Sequence, residues 1–129
     1  METAELIKPG FSVADADQPV IQTVAEGLRI SFRDWQERNI QALFMDAVSF
    51  RWDMIEWYPL IDGERYDSTH IILNSEWLQQ HVKQRAIGDE KDYNHYRLNF
   101  NASGCLQVIA RGIQVESLEA TGDVENTPQ

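Results

Sequence analysis

Hydrophobic and polar residues alternate most regularly between Tyr93 and Val115, where two alternating runs are joined by a short polar turn. In the first run Tyr96, Leu98 and Phe100 share one parity, and polar residues occupy the other. Because side chains alternate between the two faces of a strand, this pattern predicts a β-hairpin with that apolar set buried.

In the second run the apolar parity is carried by Leu106, Val108 and Ala110. Directly opposed residues of an antiparallel pair lie on the same face of the sheet. We therefore expect Phe100 to oppose residue 104 or 106, with residues 101–104 supplying the turn.

The apolar parity shifts by one residue after Ala110, because the next apolar pair is Ile113 and Val115. A strand cannot slip by one residue without turning its side chains to the other face. An extra residue at Arg111–Gly112 would absorb the shift, so the pattern predicts a β-bulge there. The alternative is a strand that is buried on both faces.

Further strands are predicted upstream of the hairpin from β-branched content and alternation. They are Val20–Val24, Leu28–Arg33, Ile40–Met45, Val48–Met54 and Thr69–Leu73. Asp46–Ala47 marks either a bend or bulge between two halves of one long strand or a tight turn between two strands.

The sequence predicts one helix, over about 75–87, with Asn74 or Ser75 as its N-cap and Gly88 as its stop. Trp77 and Leu78 belong to its apolar stripe, which we expect to lie on the apolar face of the hairpin. The predicted fold class is α+β: a mainly antiparallel, twisted or curled sheet of six to seven strands, with this helix packed on it.

The chain of 129 residues fits a single folded unit. We expect an N-terminal arm or loop at 1–18, a single α+β domain at 19–116, and a mobile acidic tail at 117–129. The tail is predicted because its small and polar residues bury too little apolar surface to offset the entropy of ordering.

Acidic residues outnumber basic ones by 21 to 11, which gives a formal net charge of −10. This balance disfavours nucleic acid, whose phosphates require clustered Lys and Arg, and favours a basic protein partner. No apolar stretch is long enough to span a membrane, and the N-terminus lacks a signal-peptide pattern. With Cys105 as the one cysteine, a reducing cytoplasm is the expected location.

The sequence carries no recognisable catalytic motif, so an enzyme is not the favoured interpretation. His70, His81 and His95 lack the spacing of a metal site, and we predict neither a metal nor a cofactor. Cys105 and the serines lack the context of a nucleophile.

The candidate binding residues are aromatic residues in predicted connections and polar residues on predicted strands. They are Trp35, Trp57, Tyr58, Arg33, Arg51, His95 and Arg97. Aromatic residues flanked by charge are typical of protein interfaces, although such aromatics also fold back as lids over the ends of a sheet.

Three short motifs carry a resemblance to known proteins. They are Leu28-x-Ile30-x-Phe32-x-x-Trp35, Asn74-Ser75-x-Trp77-Leu78 and His95-Tyr96-x-Leu98-x-Phe100-Asn101. In these motifs the chain resembles small uncharacterised bacterial β-rich proteins, some of which are similar to immunity proteins that bind and block a toxin. The resemblance implies a protein partner and assigns no individual site residue.

Three functional hypotheses follow. The first is a non-catalytic protein-binding module, immunity-like or inhibitor-like, with a basic partner. The second is a small-molecule or enzymatic groove in a curled sheet, where Arg29, Arg33, Arg51, His95 and Arg97 converge on an acidic ligand. The third is a homodimer formed through an edge strand or the segment around Trp57.

Overall fold

The computed structural model describes residues 1–54, 60–84 and 92–120. Within them the strands are β1 (Thr3–Ile7), β2 (Val20–Val24), β3 (Gly27–Arg33), β4 (Arg38–Met45), β5 (Ser49–Met54), β6 (Thr69–Leu73), β7 (Asn94–Phe100), β8 (Gly104–Ala110) and β9 (Gly112–Ala120), and the helix is α1 (Glu76–Lys83). They form a five-stranded sheet in the order β1-β6-β7-β8-β5 and a four-stranded sheet in the order β2-β3-β4-β9. All described pairings are antiparallel, so the predicted α+β class is confirmed, with two sheets where one was expected.

The main hydrophobic core lies between the two sheets. The five-stranded sheet contributes Leu98 and Phe100, the four-stranded sheet contributes Ile30 and Phe44, and all four are 0% exposed. The Phe32 ring meets the Phe100 ring edge-on, with centroids 5.1 Å apart. Alternating apolar residues on both sheets therefore form a sandwich core.

The central hairpin has one of the two registers that its sequence allows. Phe100 pairs with Gly104, Leu98 with Leu106, and Tyr96 with Val108. The apolar parity of both strands is buried, and residues 101–103 form the turn.

Two of the connections that carry the chain from one sheet into the other, β4 to β5 and β8 to β9, meet at one corner. At this corner Val48 N–H donates to Ile109 O and Arg111 N–H donates to Met45 O, both at 2.9 Å. Asp46–Ala47 is thus a bend between β4 and β5, and residue 111 is the matching bend between β8 and β9. Strands that switch sheets in this way form the corners of packed sheets.

The predicted β-bulge at Arg111–Gly112 is wrong, because the chain changes sheets there. Every residue of β8 is buried, so the alternative of burial on both faces applies to this strand. The bulge lies further along β9: Gln41 pairs with Ser117 while Ala42 pairs with Val115. Glu116 is therefore the extra residue.

Helix α1 begins after Ser75, whose hydroxyl accepts a hydrogen bond from Leu78 N–H. It lies on the opposite face of the hairpin from the one predicted, with Leu78 packed against Ile109. The apolar face of the hairpin, on which the helix was expected to lie, is covered by the four-stranded sheet instead. The end of the predicted helix, from residue 85 onward, lies outside the described residues.

Two segments outside the expected domain bounds of 19–116 form strands. Thr3–Ile7 is a strand whose five residues pair with β6, and β9 continues to Ala120, beyond the expected boundary at 116. Pairing with a neighbouring strand orders both segments. Residues 121–129 of the predicted tail lie outside the described residues.

Among the residues that the structure describes, no helix has the length and apolar composition of a membrane span.

Candidate functional site

Polar side chains are buried on the outward face of the five-stranded sheet. This polar cluster consists of Glu64, His70, Ser75, His95, Arg97, Asn99 and Gln107. Strand alternation places His95, Arg97 and Asn99 on this face, opposite Leu98 and Phe100. Helix α1 and the segment around Glu64 cover them.

His95 lies at the centre of a continuous hydrogen-bond chain. Gln107 Oε1 lies within hydrogen-bond distance of both Arg97 Nε, at 3.1 Å, and His95 Nε2, at 2.7 Å. A guanidinium can only donate, so the Gln107 atom is an acceptor and His95 Nε2 carries the proton. In the neutral ring Nδ1 then accepts a hydrogen bond from the Ser75 hydroxyl, at 2.6 Å. The N-cap of α1 is thereby fixed to β7.

His70 is held by two backbone groups. Arg65 N–H donates to His70 Nε2 at 2.9 Å, and His70 Nδ1 lies 3.4 Å from Arg97 O. Because a backbone N–H can only donate, Nε2 must be unprotonated and Nδ1 carries the proton. The geometry therefore requires a neutral imidazole in one tautomer.

A buried ion pair completes the cluster. Arg97 Nη1 lies 2.9 Å from Glu64 Oε1, and the two side chains are 14% and 0% exposed. Asn99 Nδ2 donates to Glu64 Oε2 at 2.8 Å and to Arg65 O at 2.7 Å. These bonds tie the 61–65 segment onto β7, and removing either ion partner would leave a buried charge.

Burial makes the two central histidines weak bases. It lowers the pKa of His95 to about 4, and it lowers the pKa of His70 below its usual value. The Ser75–His95 contact has the spacing of a nucleophile and its base, but Ser75 and His95 are only 3% and 2% exposed. Since no substrate in solution can reach them, the arrangement supports a structural role.

The described residues hold no group of three or more His, Cys, Asp or Glu side chains placed to bind a metal ion. The polar cluster instead satisfies its own donors and acceptors, apart from Asn99 Oδ1, which is buried without a partner among the described residues. The polar groups of the cluster therefore bind one another and the backbone.

The structure brings three of the predicted site residues onto one face and separates the others. Arg51 and Arg97 both pair with Gln107, and His95 is bonded to the same Gln107. Arg51 is exposed and contacts Asp53 at 3.3 Å.

Arg29 and Arg33 lie on the other sheet of the sandwich, in β3. Arg29 pairs with Glu116 at 2.7 Å, and Arg33 pairs with Asp17 at 3.2 Å. The five polar residues that were expected to converge thus lie on opposite outer faces and share no groove.

Trp35 lies in the turn between β3 and β4 and is 58% exposed, as its position in a connection predicts. It has not folded back over the sheet as a lid. Trp57 and Tyr58, the other aromatic candidates, lie outside the described residues.

One edge strand with several exposed apolar side chains was not singled out from the sequence. Strand β5 ends the five-stranded sheet, and among the described residues it pairs only with β8. Val48, just before β5, shares one parity with Phe50 and Met54 of the strand, and the three are 39%, 42% and 64% exposed. These three residues with the unpaired side of the strand are called the β5 edge below.

The polar cluster was also missed, because only the apolar parity of β7 was predicted to be buried. One signal of a cover was present: Ile109 is apolar and lies on the same face as these polar residues, across from His95. An apolar residue on a polar parity indicates that something packs there, and the Trp77–Leu78 pair of the helix required such a surface.

Comparisons with protein families, with curated proteins and with solved structures found no match for this chain.

Proposed function

We propose that this protein is a non-catalytic protein-binding module, immunity-like or inhibitor-like, that binds a basic protein partner through the β5 edge. The observation that carries the proposal is the β5 edge itself, where exposed apolar side chains accompany a strand with one side unpaired among the described residues. An edge strand offers a row of backbone donors and acceptors to an added strand, and alternate side chains give specificity. The resemblance noted in three sequence motifs supports the same class.

Charge complementarity supports a basic partner. The chain has a formal net charge of −10, which attracts basic proteins over long range and disfavours nucleic acid. We place this function in the cytoplasm, where Cys105, the one cysteine and a buried one, would remain reduced.

Internal satisfaction of the polar cluster favours binding over catalysis. Its histidines and serine are fixed by hydrogen bonds and closed to solvent, so they serve to hold α1 and the 61–65 segment on the sheet. That leaves the β5 edge on a rigid strand pair, as a binding surface requires.

The test compares two double variants with matched exposure. Phe50→Ser with Met54→Ser removes side chains that are 42% and 64% exposed, and Leu73→Ser with Val20→Ser removes side chains that are 42% and 61% exposed on other strands. The wild-type protein serves as bait in a lysate of its source organism at near-physiological salt, and the recovered protein is then purified. We expect an equimolar complex that the first double variant weakens at least about tenfold, because interface anchors contribute upwards of 1 kcal/mol each. The control should bind like wild type.

Two results would end the proposal: recovery of no partner, or a purified complex that is indifferent to Phe50→Ser and Met54→Ser. A second copy of the chain is the competing occupant of the β5 edge. Light scattering separates the two, since the proposal expects a monomeric mass for the isolated protein, and a dimer that is dissolved by the same variant would replace it.

A further inference from the structure

A second surface lies on the outward face of the four-stranded sheet, on the other side of the sandwich from α1. It is a concavity of about 600 Å³. This volume is within the range of about 300–1,000 Å³ that small-molecule sites occupy. Its floor and walls include Ser31, Arg33, Asn39, Gln41, Ser117 and Glu119.

The strand register explains how the floor is built. Ser31, Gln41 and Ser117 form one row across β3, β4 and β9, and Arg33, Asn39 and Glu119 form the next row. The Gln41–Ser117 pair adjoins the bulge at Glu116. Bulges bend and twist the strand that carries them, and short serine side chains in the central row leave depth between longer neighbours.

Several polar side chains that line the concavity remain available for hydrogen bonds to a ligand. Within the described ranges, the side chains of Ser31, Asn39, Gln41 and Ser117 form no hydrogen bond with another residue. The neighbouring row differs, because Arg29 already donates two hydrogen bonds to Glu116, at 2.7 and 3.2 Å. The concavity therefore presents two hydroxyls and two amides to a ligand.

The charge of the concavity disfavours an anionic ligand. Arg33 is the basic residue of its lining and is already paired with Asp17 at 3.2 Å, while Glu119 adds a negative charge. An apolar wall is present too: Val20 pairs with Ser31 in the sheet and is 61% exposed. Neutral hydroxyls and amides beside a small apolar surface match the alternation of O–H and C–H groups on a sugar ring.

We propose that this concavity binds a neutral polyhydroxylated ligand, a mono- or disaccharide. Hydroxyl groups of the sugar would bond to Asn39 and Gln41, which can both donate and accept, while the serine hydroxyls line the floor. Exposed Trp35, in the turn that directly follows the Arg33 end of β3, offers an aromatic surface at the same end of the sheet. The site is separate from the β5 edge, so it stands or falls independently of the proposed function.

The test is an NMR titration of the ¹⁵N-labelled protein with maltose, cellobiose, lactose and N-acetylglucosamine at millimolar concentration. Glucose 6-phosphate is the anionic comparison. We expect at least one neutral sugar to shift the amide signals of residues in β3, β4 and β9 that line the concavity, and to do so more strongly than the sugar phosphate.

A matched pair of double variants locates the binding. Asn39→Ala with Gln41→Ala should weaken binding at least about tenfold, the loss of two hydrogen bonds. Gln22→Ala with Gln114→Ala lies on the same sheet face, one row beyond the concavity, and should leave affinity unchanged. The proposal is overturned if no neutral sugar shifts these signals, if the sugar phosphate binds better, or if both double variants lose binding equally.

Discussion

At the scale of single residues, the structure is organised by histidines that must stay neutral. His70 receives a backbone N–H on Nε2, and His95 receives the Ser75 hydroxyl on Nδ1. In each case a proton added to the accepting nitrogen would face a donor. Burial of both rings reinforces the same preference, since it disfavours the charged form.

Acid should therefore weaken the fold before most carboxylates titrate. The pKa of His95 is lowered by burial from 6.5 to about 4, so between these values the unfolded chain binds the extra proton and stability falls as pH falls. The full difference corresponds to about 3 kcal/mol that is present above about pH 6.5 and lost progressively down to about pH 4. Lowering of the His70 pKa acts in the same direction.

Urea unfolding at neutral pH and at mildly acidic pH measures this effect. The variant His95→Gln should be less stable at neutral pH but should lose less stability on acidification than wild type, because the carboxylates are common to both proteins. Identical losses in the two proteins would show that His95 does not carry the pH dependence.

At the scale of secondary-structure elements, the alternation of apolar and polar residues was informative in strands that bury one face against the core. It limited the partner of Phe100 to residue 104 or 106, of which the structure has Gly104, and it located Thr69–Leu73 at its observed bounds. It did not predict that the other face of β8 is buried as well, because what covers that face comes from distant segments of the chain.

Long-range packing accounts for the remaining differences. The parity shift after Ala110 is a change of sheet, and a local pattern cannot distinguish this from a bulge. The polar parity of β7 is buried because distant segments, Glu64 and α1, satisfy its hydrogen bonds. Neither the division into two sheets nor the polar cluster is encoded within one strand, so neither was predictable from periodicity.

The corner and the hairpin should differ in their tolerance of a single methyl group. A Cβ at Gly104 would meet the carbonyl oxygen of Asp53 and, at 2.7 Å, Cζ2 of Trp52, both held by the β5–β8 pairing. A Cβ at Gly112 would meet the flexible end of Met45, Cε at 2.8 Å. We expect Gly104→Ala to cost about 1–3 kcal/mol, as overpacking does, and Gly112→Ala to cost less.

Thermal or urea unfolding of the two glycine variants checks this difference. An equal or reversed order of stability would contradict the close approach of β5 to β8 at Gly104, on which the position of the β5 edge depends.

At the scale of the whole molecule, the sandwich has two different outer faces. One is closed by α1 and a self-satisfied polar cluster, and the other is open and polar. The exposed apolar side chains of β5 lie at the end of the sheet that the helix covers, on a chain with a formal net charge of −10. Composition alone predicted the sign of the charge and favoured a basic partner, but only the folded structure places β5 at the end of its sheet, with one side unpaired among the described residues.

The most direct measurement is site-specific photo-crosslinking in cells of the source organism. Phe50→p-benzoylphenylalanine places the crosslinker on the β5 edge, and Tyr66→p-benzoylphenylalanine places it at another exposed aromatic position; the native side chains are 42% and 65% exposed. The account predicts a crosslink from position 50 to one basic protein and none from position 66. A crosslink from position 66 alone, or from neither position, would contradict the assignment of the β5 edge as the binding surface.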